Sequence, residues 1–234
     1  SQASFIELYK RGEIYQEEKP VLWDVDYQTA IAQAEIVDKN VPSAYYYFRF
    51  QIKDSSEYLV IATTRPELLP ACVAVLVHPE DERYKNLIGQ TAVLPIYERE
   101  VPILSNYAVD QNFGSGIVMI CSYGDTTDVR LFRELGLREI MAIGLDGKMN
   151  EKAGKYAGLE VMEARRKIIE DLEAEGLVEK KEAINHRTPI CERCKTPIEI
   201  ISLDEFYLKQ IPFLKQIKRL ARKIIFHPEQ HRQI

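Results

Sequence analysis

The 234 residues are 46% hydrophobic and 29% charged, with a net charge of −5; this balance fits a globular chain with its own core and excludes a disordered or fibrous one. The negative balance also excludes capture of nucleic acid by overall charge, so an RNA contact needs a local basic patch, and the acid-free stretch 209–223 offers one in Lys209, Lys215, Lys218, Arg219, Arg222 and Lys223, or else is a solvated helix face. Four cysteines, Cys72, Cys121, Cys191 and Cys194, are too few for a secreted disulfide scaffold of this size; with no apolar run of transmembrane length and no signal-peptide pattern at the start, the expected location is the cytoplasm.

Phe5, Leu8 and Tyr9 have helical spacing, and Gly12 ends that helix. Residues 21–23 read as a short strand and 29–35 as extended or mixed. The runs 45–52 and 58–62 read as neighbouring strands joined by the turn chemistry of Asp54, Ser55 and Ser56. Residues 72–77 are apolar on both faces, which predicts a central strand. Short strands follow at 91–94, 101–104 and 117–120, and their spacing with prolines at the joints predicts a barrel or strongly bent sheet. Helices come next. Asp125 or Thr126 caps one that runs to Leu135 and stops at Gly136. A second covers 161–175 with Ala164, Ile168 and Leu172 in register, and 140–157 between them is loop-like. Residues 204–225 read as helical with a break at Pro212, and both chain ends, the uncapped Ser1 and the open 226–234 tail, read as cut from a longer protein.

Four groups of residues carry chemistry. Cys191-Glu-Arg-Cys194 is half of a four-ligand zinc site. A second such pair is absent, His186 is the best third ligand, and Asp24 and Asp26 offer oxygen; a knuckle without metal is the other reading. Cys121, beside Ser122 and Asp125, suits a thiol nucleophile only if folding brings up His78, His186, His227 or His231, and otherwise packs as a small hydrophobe. Gly114-Ser-Gly116 lacks phosphate-loop spacing and reads as close backbone approach at a strand start. Asp125 and Asp128, spaced i, i+3 at a helix start, either serve the cap or form an acidic cup for a ligand with an ammonium and a hydroxyl. Thr63-Thr-Arg-Pro-Glu67 is either strand propensity running into a helical turn, or a corner whose hydroxyls and guanidinium hold an ester, a ribose or a phosphate.

These last segments carry a resemblance. Thr63-Thr-Arg-Pro-Glu67 resembles the threonine-rich peptide of the editing domains of class I aminoacyl-tRNA synthetases for branched aliphatic amino acids. Gly114-Ser-Gly116 is similar to their Gly-Thr-Gly turn, and Tyr123-Gly-Asp-Thr-Thr-Asp128 to the acidic motif after it. Residues 66–75 and the Tyr-Gly-Asp form look most like the archaeal-type valyl-tRNA synthetases, and the segments 5–15, 28–35 and 148–158 extend the likeness over nearly the whole chain. Two departures stand out. Asp24-Val-Asp-Tyr27 occupies the place of the family's first Cys-x-x-Cys, and Met119 stands where bacterial-type members carry a lysine.

The resemblance implies an α+β, β-barrel-like editing (CP1) domain over 43–182 with peripheral helices. It is flanked by an N-terminal connective segment, 1–42, and a ribbon-like C-terminal one, 183–234, with a degenerate zinc knuckle and a basic helix. It implies post-transfer editing, the hydrolysis of threonyl-tRNA(Val), with the tRNA(Val) acceptor end and the rest of the synthetase in cis as partners and no membrane. Thr63, Thr64 and Asp128 are then catalytic, and Arg65, Glu67, Gly114, Ser115, Gly116, Cys121 and Asp125, with Asp128, bind substrate. Editing needs no cofactor; ATP belongs to the full-length parent, whose HIGH and KMSKS signatures are absent here, and zinc at Cys191 and Cys194 stays open. The alternatives are an isoleucyl- or leucyl-type editing domain and a non-catalytic module that binds the tRNA acceptor end.

Overall fold

A computed structural model describes residues 1–233, without the side chains of His231 and Gln233; the reading of the 226–234 tail falls partly outside the described residues, at Ile234. In chain order the elements are α1 (Gln2–Lys10), β1 (Ile14–Asp24), β2 (Thr29–Ala30), β3 (Ile36–Ile52), β4 (Tyr58–Thr63), β5 (Cys72–Val77), β6 (Thr91–Val93), β7 (Glu100–Ser105), β8 (Ile117–Cys121), α2 (Thr126–Leu135), α3 (Val161–Ala174), β9 (Val178–Cys191), β10 (Glu199–Leu208) and α4 (Leu214–Ala221). The fold is α+β. Its larger sheet has seven strands in the order β4-β3-β6-β7-β5-β8, with β9 also paired to β3, and it curls into a half-barrel. The smaller sheet has the order β10-β1-β2.

The apolar run 72–77 takes the central place its composition predicts. β5 is the central strand: it runs parallel to β7 and antiparallel to β8. Val75 and Val77 face the main core with Phe48, Phe50, Leu59 and Ile61, while Ala74 and Leu76 face a second cluster with Ile120, Leu131 and Phe132 beneath α2. A strand covered on both faces has no use for polar residues, which is why its sequence is an unbroken apolar run. α3 buries Ala164, Ile168 and Leu172, the stripe that the i, i+4 spacing requires.

Several predicted elements differ. β1 is no short strand at 21–23 but runs from Ile14 to Asp24. β3 starts nine residues before the predicted strand, because it pairs with β9 continuously from Ile36↔Cys191 to Tyr47↔Lys180. β9 escapes sequence reading because this ribbon is largely solvated, so its residues alternate between exposed and half-buried positions without an apolar signal. Residues 204–208, expected to be helical, continue β10, where exposed and half-buried positions alternate as in a strand; among the described residues the α-helix near the C-terminal end is α4 alone.

The chain forms two units, one of residues 1–19 with 203–234 and one of residues 20–202. In the first, Phe206 packs edge-on against Phe5 and Tyr9 of α1, and Lys19 lies over the Tyr15 and Tyr207 rings. α4 buries none of its residues and carries Lys215, Lys218 and Arg219. The second unit holds the half-barrel, α2, α3 and all that follows about the site. Among the described residues, no helix is long and apolar enough to cross a membrane.

Candidate functional site

β4 ends at Thr63, and Pro66 opens a 3-10 turn, Pro66–Ala71, whose residues are all buried. The Arg65 backbone N–H donates to Thr63 Oγ1 at 3.0 Å, which fixes the corner locally. The Arg65 side chain is engaged as well: Nε donates to Glu67 Oε1 at 2.9 Å and Nη2 to both oxygens of Glu199 at 2.8 Å. Arg165 of α3 grips the same Glu67 through Nε at 2.7 Å and Nη2 at 2.6 Å.

Burial opposes the charge on Glu67, but Arg65 and Arg165 outweigh it and hold the carboxyl below the usual range. Burial pushes Glu199 up against the pull of Arg65, and the charge of Glu67 adds to the push. The guanidinium of Arg65, disfavoured by burial, is held charged by Glu199 and Glu67. This network ties the strand end to α3 and β10. Arg165 and Glu199 lie about 100 and 134 residues from it in sequence, and no local pattern marks them.

The acidic motif sits where β8 passes into α2. Asp125 is the N-cap: its Oδ1 accepts the N–H of Thr127 at 2.7 Å and of Asp128 at 3.0 Å, and Gly136 closes the helix in the left-handed region at φ 61°. Asp128 Oδ2 accepts the N–H of Gly124 at 2.7 Å. A Cβ at position 124 would stand 2.8 Å from that oxygen, so the glycine of the Tyr-Gly-Asp motif is what lets the carboxylate come so close. Burial first, and then the neighbouring Asp125 charge, pushes the Asp128 carboxyl up to about 7. Capping therefore accounts for Asp125 but not for Asp128.

The glycine turn is pinned from below. Arg83 pairs with the buried Asp81 and donates Nη2 to the Gln111 carbonyl at 2.6 Å, while the Tyr84 hydroxyl donates to the Ser115 carbonyl at 3.1 Å. Gly116 has φ 77°, and a Cβ there would meet Arg83 Nη2 at 2.4 Å and the Gln111 carbonyl at 2.8 Å.

A cavity of about 1110 Å³ gathers these parts. Thr63, Thr64, Arg65, Gly114, Cys121, Asp125 and Asp128 line it; Glu67, Ser115 and Gly116 do not, and stand behind the wall. His186 lines the same cavity, so folding does bring a histidine and Cys121 to one space. Burial, with Cys72 beside it, pushes the Cys121 thiol well up, which leaves it protonated and a poor nucleophile.

His186 is not a third ligand to the knuckle. It lies five residues up β9 from Cys191, too far along an extended chain, and its Nδ1 is 3.2 Å from Thr188 Oγ1. The group that meets the two cysteines is Asp24: one ligand atom from each of Asp24, Cys191 and Cys194 lies within 4.8 Å of the others. Cys194 Sγ donates to Asp24 Oδ2 at 3.1 Å, and Asp24 Oδ1 accepts the N–H groups of Asp26 and Tyr27 at 3.0 Å. Asp26 instead takes the Thr196 hydroxyl. Burial works against the Asp24 charge, but the hydrogen bonds from Cys191, Tyr27, Cys194 and Asp26 outweigh it and hold the carboxyl low. This donor set fits three of the four positions that a structural zinc takes.

The family model for class I tRNA synthetases (I, L, M and V) matches residues 1–234. The chain is 50% identical over 233 residues to the valine--tRNA ligase of Aeropyrum pernix, covering 100% of this chain and 28% of that protein. It is 48% identical over 233 residues to the valine--tRNA ligase of Nanoarchaeum equitans, covering 100% of this chain and 31% of that one. Among solved structures, a leucyl-tRNA synthetase from Agrobacterium radiobacter K84, in a ternary complex titled LeuRS-tRNA-LeuAMS, is similar over 84% of this chain and 35% of its own, with a TM-score of 0.48 and 16% identity. The chain thus spans about three-tenths of the length of the curated relatives it matches, and it belongs to the class I tRNA synthetases of the I, L, M and V group.

Proposed function

We propose that this chain is the editing domain of an archaeal-type valyl-tRNA synthetase, working in the cytoplasm, and that its cavity hydrolyses threonyl-tRNA(Val). One observation carries the reading: Asp125 and Asp128, whose carboxyl burial and the Asp125 charge push up to about 7, line the same cavity as Thr63 and Thr64. Two carboxylates so placed favour a cation, and the α-ammonium of an aminoacyl ester supplies one.

The need for such a site is chemical. Valine-selecting synthetase pockets are themselves the standard illustration of weak isostere rejection, with threonine excluded only about a hundredfold. A second site must require the hydroxyl that the first tolerates. Asp125 spends Oδ1 on the helix cap, and its other oxygen accepts the threonyl γ-hydroxyl. With valine that acceptor loses its water and gains no partner, at a cost of about 1–3 kcal/mol. Asp128 takes the ammonium, Thr63 and Thr64 hold the ester and the terminal ribose, and the charge on Arg65 favours the developing oxyanion. Water attacks the carbonyl directly, with no covalent enzyme intermediate. Glu67, Ser115 and Gly116 act from behind the wall by holding Arg65 and the glycine turn.

The rest of the synthetase in cis and the acceptor end of tRNA(Val) are the partners this reading requires. The test is release of amino acid from threonyl-tRNA(Val) and valyl-tRNA(Val) by this chain. Threonine is released preferentially, and Asp128→Ala abolishes the release. Equal turnover of both esters, or unchanged turnover in the variant, defeats the reading.

A further inference from the structure

We propose that His186 is the base that activates the attacking water, an inference that rests on the deacylase reading above. His186 belongs to the half-buried set of β9, with Ile184 and Thr188, while positions 185, 187 and 189 are exposed. It lines the same cavity as Thr63, Thr64 and Asp128. Nδ1 is 3.2 Å from Thr188 Oγ1, and Nε2 makes no hydrogen bond among the described residues. With Nδ1–H donating to Thr188, the lone pair of Nε2 is left to accept a proton.

The other titratable groups of the cavity are each engaged or protonated: Asp110 accepts the Asn112 N–H at 2.9 Å, and burial pushes the Tyr45 hydroxyl up. The Cys121 thiol is protonated. Asp125 caps α2, and Asp128 holds the Gly124 N–H and, with substrate, the ammonium. Arg65 is bound to Glu67 and Glu199. Asp38 and Arg187, from β3 and β9, pair with each other. The charges that face His186 are chiefly Arg165 and Arg65. Burial, with these two, holds the imidazole below its ordinary value, so it is neutral and basic at neutral pH.

The step balances. Nε2 takes a proton from water as the water oxygen bonds to the ester carbonyl carbon. The bond from that carbon to the ribose oxygen then breaks, and the ribose oxygen takes the proton back from Nε2. The products are tRNA with a free terminal hydroxyl and threonine, whose new carboxyl releases its proton to solvent.

The experiment compares this chain with its His186→Gln and His186→Ala variants on threonyl-tRNA(Val). His186→Gln lowers kcat about a hundredfold or more and leaves KM within about twofold. Added imidazole restores turnover to His186→Ala, and the acidic limb of the kcat profile disappears in both variants. A kcat within about twofold of the unaltered chain overturns the proposal. So does a loss of activity that imidazole does not restore and that leaves the acidic limb in place, which marks His186 as structural. If the unaltered chain releases no threonine, the deacylase reading falls, and this one with it.

Discussion

Asp125 Oδ1 accepts the backbone N–H of Asp128 at 3.0 Å, so the residue that caps α2 also positions the residue whose carboxylate reaches into the cavity. One aspartate spends an oxygen on the helix, and the other is held half-buried by the Gly124 N–H. The charge of the first raises the proton affinity of the second.

A pH dependence follows. The Asp128 carboxyl is raised to about 7, against an ordinary value of 3.8. An ammonium ligand needs it ionised, so kcat/KM for deacylation rises with pH through about 7. The linkage to stability has the opposite sign. The native chain holds a proton that the unfolded chain releases, so this contribution is full below about 4 and is lost as pH rises through about 7. Deacylation rates from pH 5 to 8.5 check the first, and denaturant midpoints over the same range check the second. A flat rate profile contradicts the assignment.

Asp125 separates charge from cap. Asn caps a helix as well as Asp does, so Asp125→Asn keeps stability and shifts the acidic limb of kcat/KM to lower pH by removing the neighbouring charge. Asp125→Ala loses the cap, at about 1 kcal/mol, and also loses the acceptor proposed for the γ-hydroxyl. The preference for the threonyl over the valyl ester then falls about tenfold to a hundredfold. Thermal melts and paired deacylation assays read the two effects apart.

The network behind the wall is structural and unforgiving. Glu67→Gln removes the charge that two arginines share at a site with no solvent exposure. Breaking a buried ion pair from one side costs about 3–5 kcal/mol, and the Thr-Thr-Arg corner loosens with it. Urea titration gives the first; a drop in kcat at unchanged substrate preference gives the second. An unaltered midpoint speaks against this account of the network.

Asp24 does the work of closing the knuckle. Asp24→Ala leaves the Asp26 and Tyr27 N–H groups and two thiols without their acceptor, a loss of about 1–3 kcal/mol. Asp24→Cys adds a third thiolate donor and raises zinc affinity, measured by competition with a chromophoric chelator. Equal zinc affinity in the two forms means that Asp24 is no part of a metal-competent set.

Local chemistry was readable in the sequence. Asp125 or Thr126 at one end and Gly136 at the other bounded α2 by capping rules, the unbroken apolar run 72–77 declared a strand buried on both faces, and the Ala164, Ile168, Leu172 stripe declared the buried face of α3. Such signals reside in neighbours along the chain, where periodicity and backbone hydrogen-bond needs act over a few residues. Partnerships between distant residues were decided only by the tertiary structure. Arg165 and Glu199 reach the Thr-Thr-Arg corner because α3 and β10 pack there, Asp24 rather than His186 meets the two cysteines because β9 is extended, and β9 itself exists because the β3 edge pairs with it. A charge finds its partner by proximity in space, and the acidity of Asp128 is set by a burial that arises only once the chain has folded.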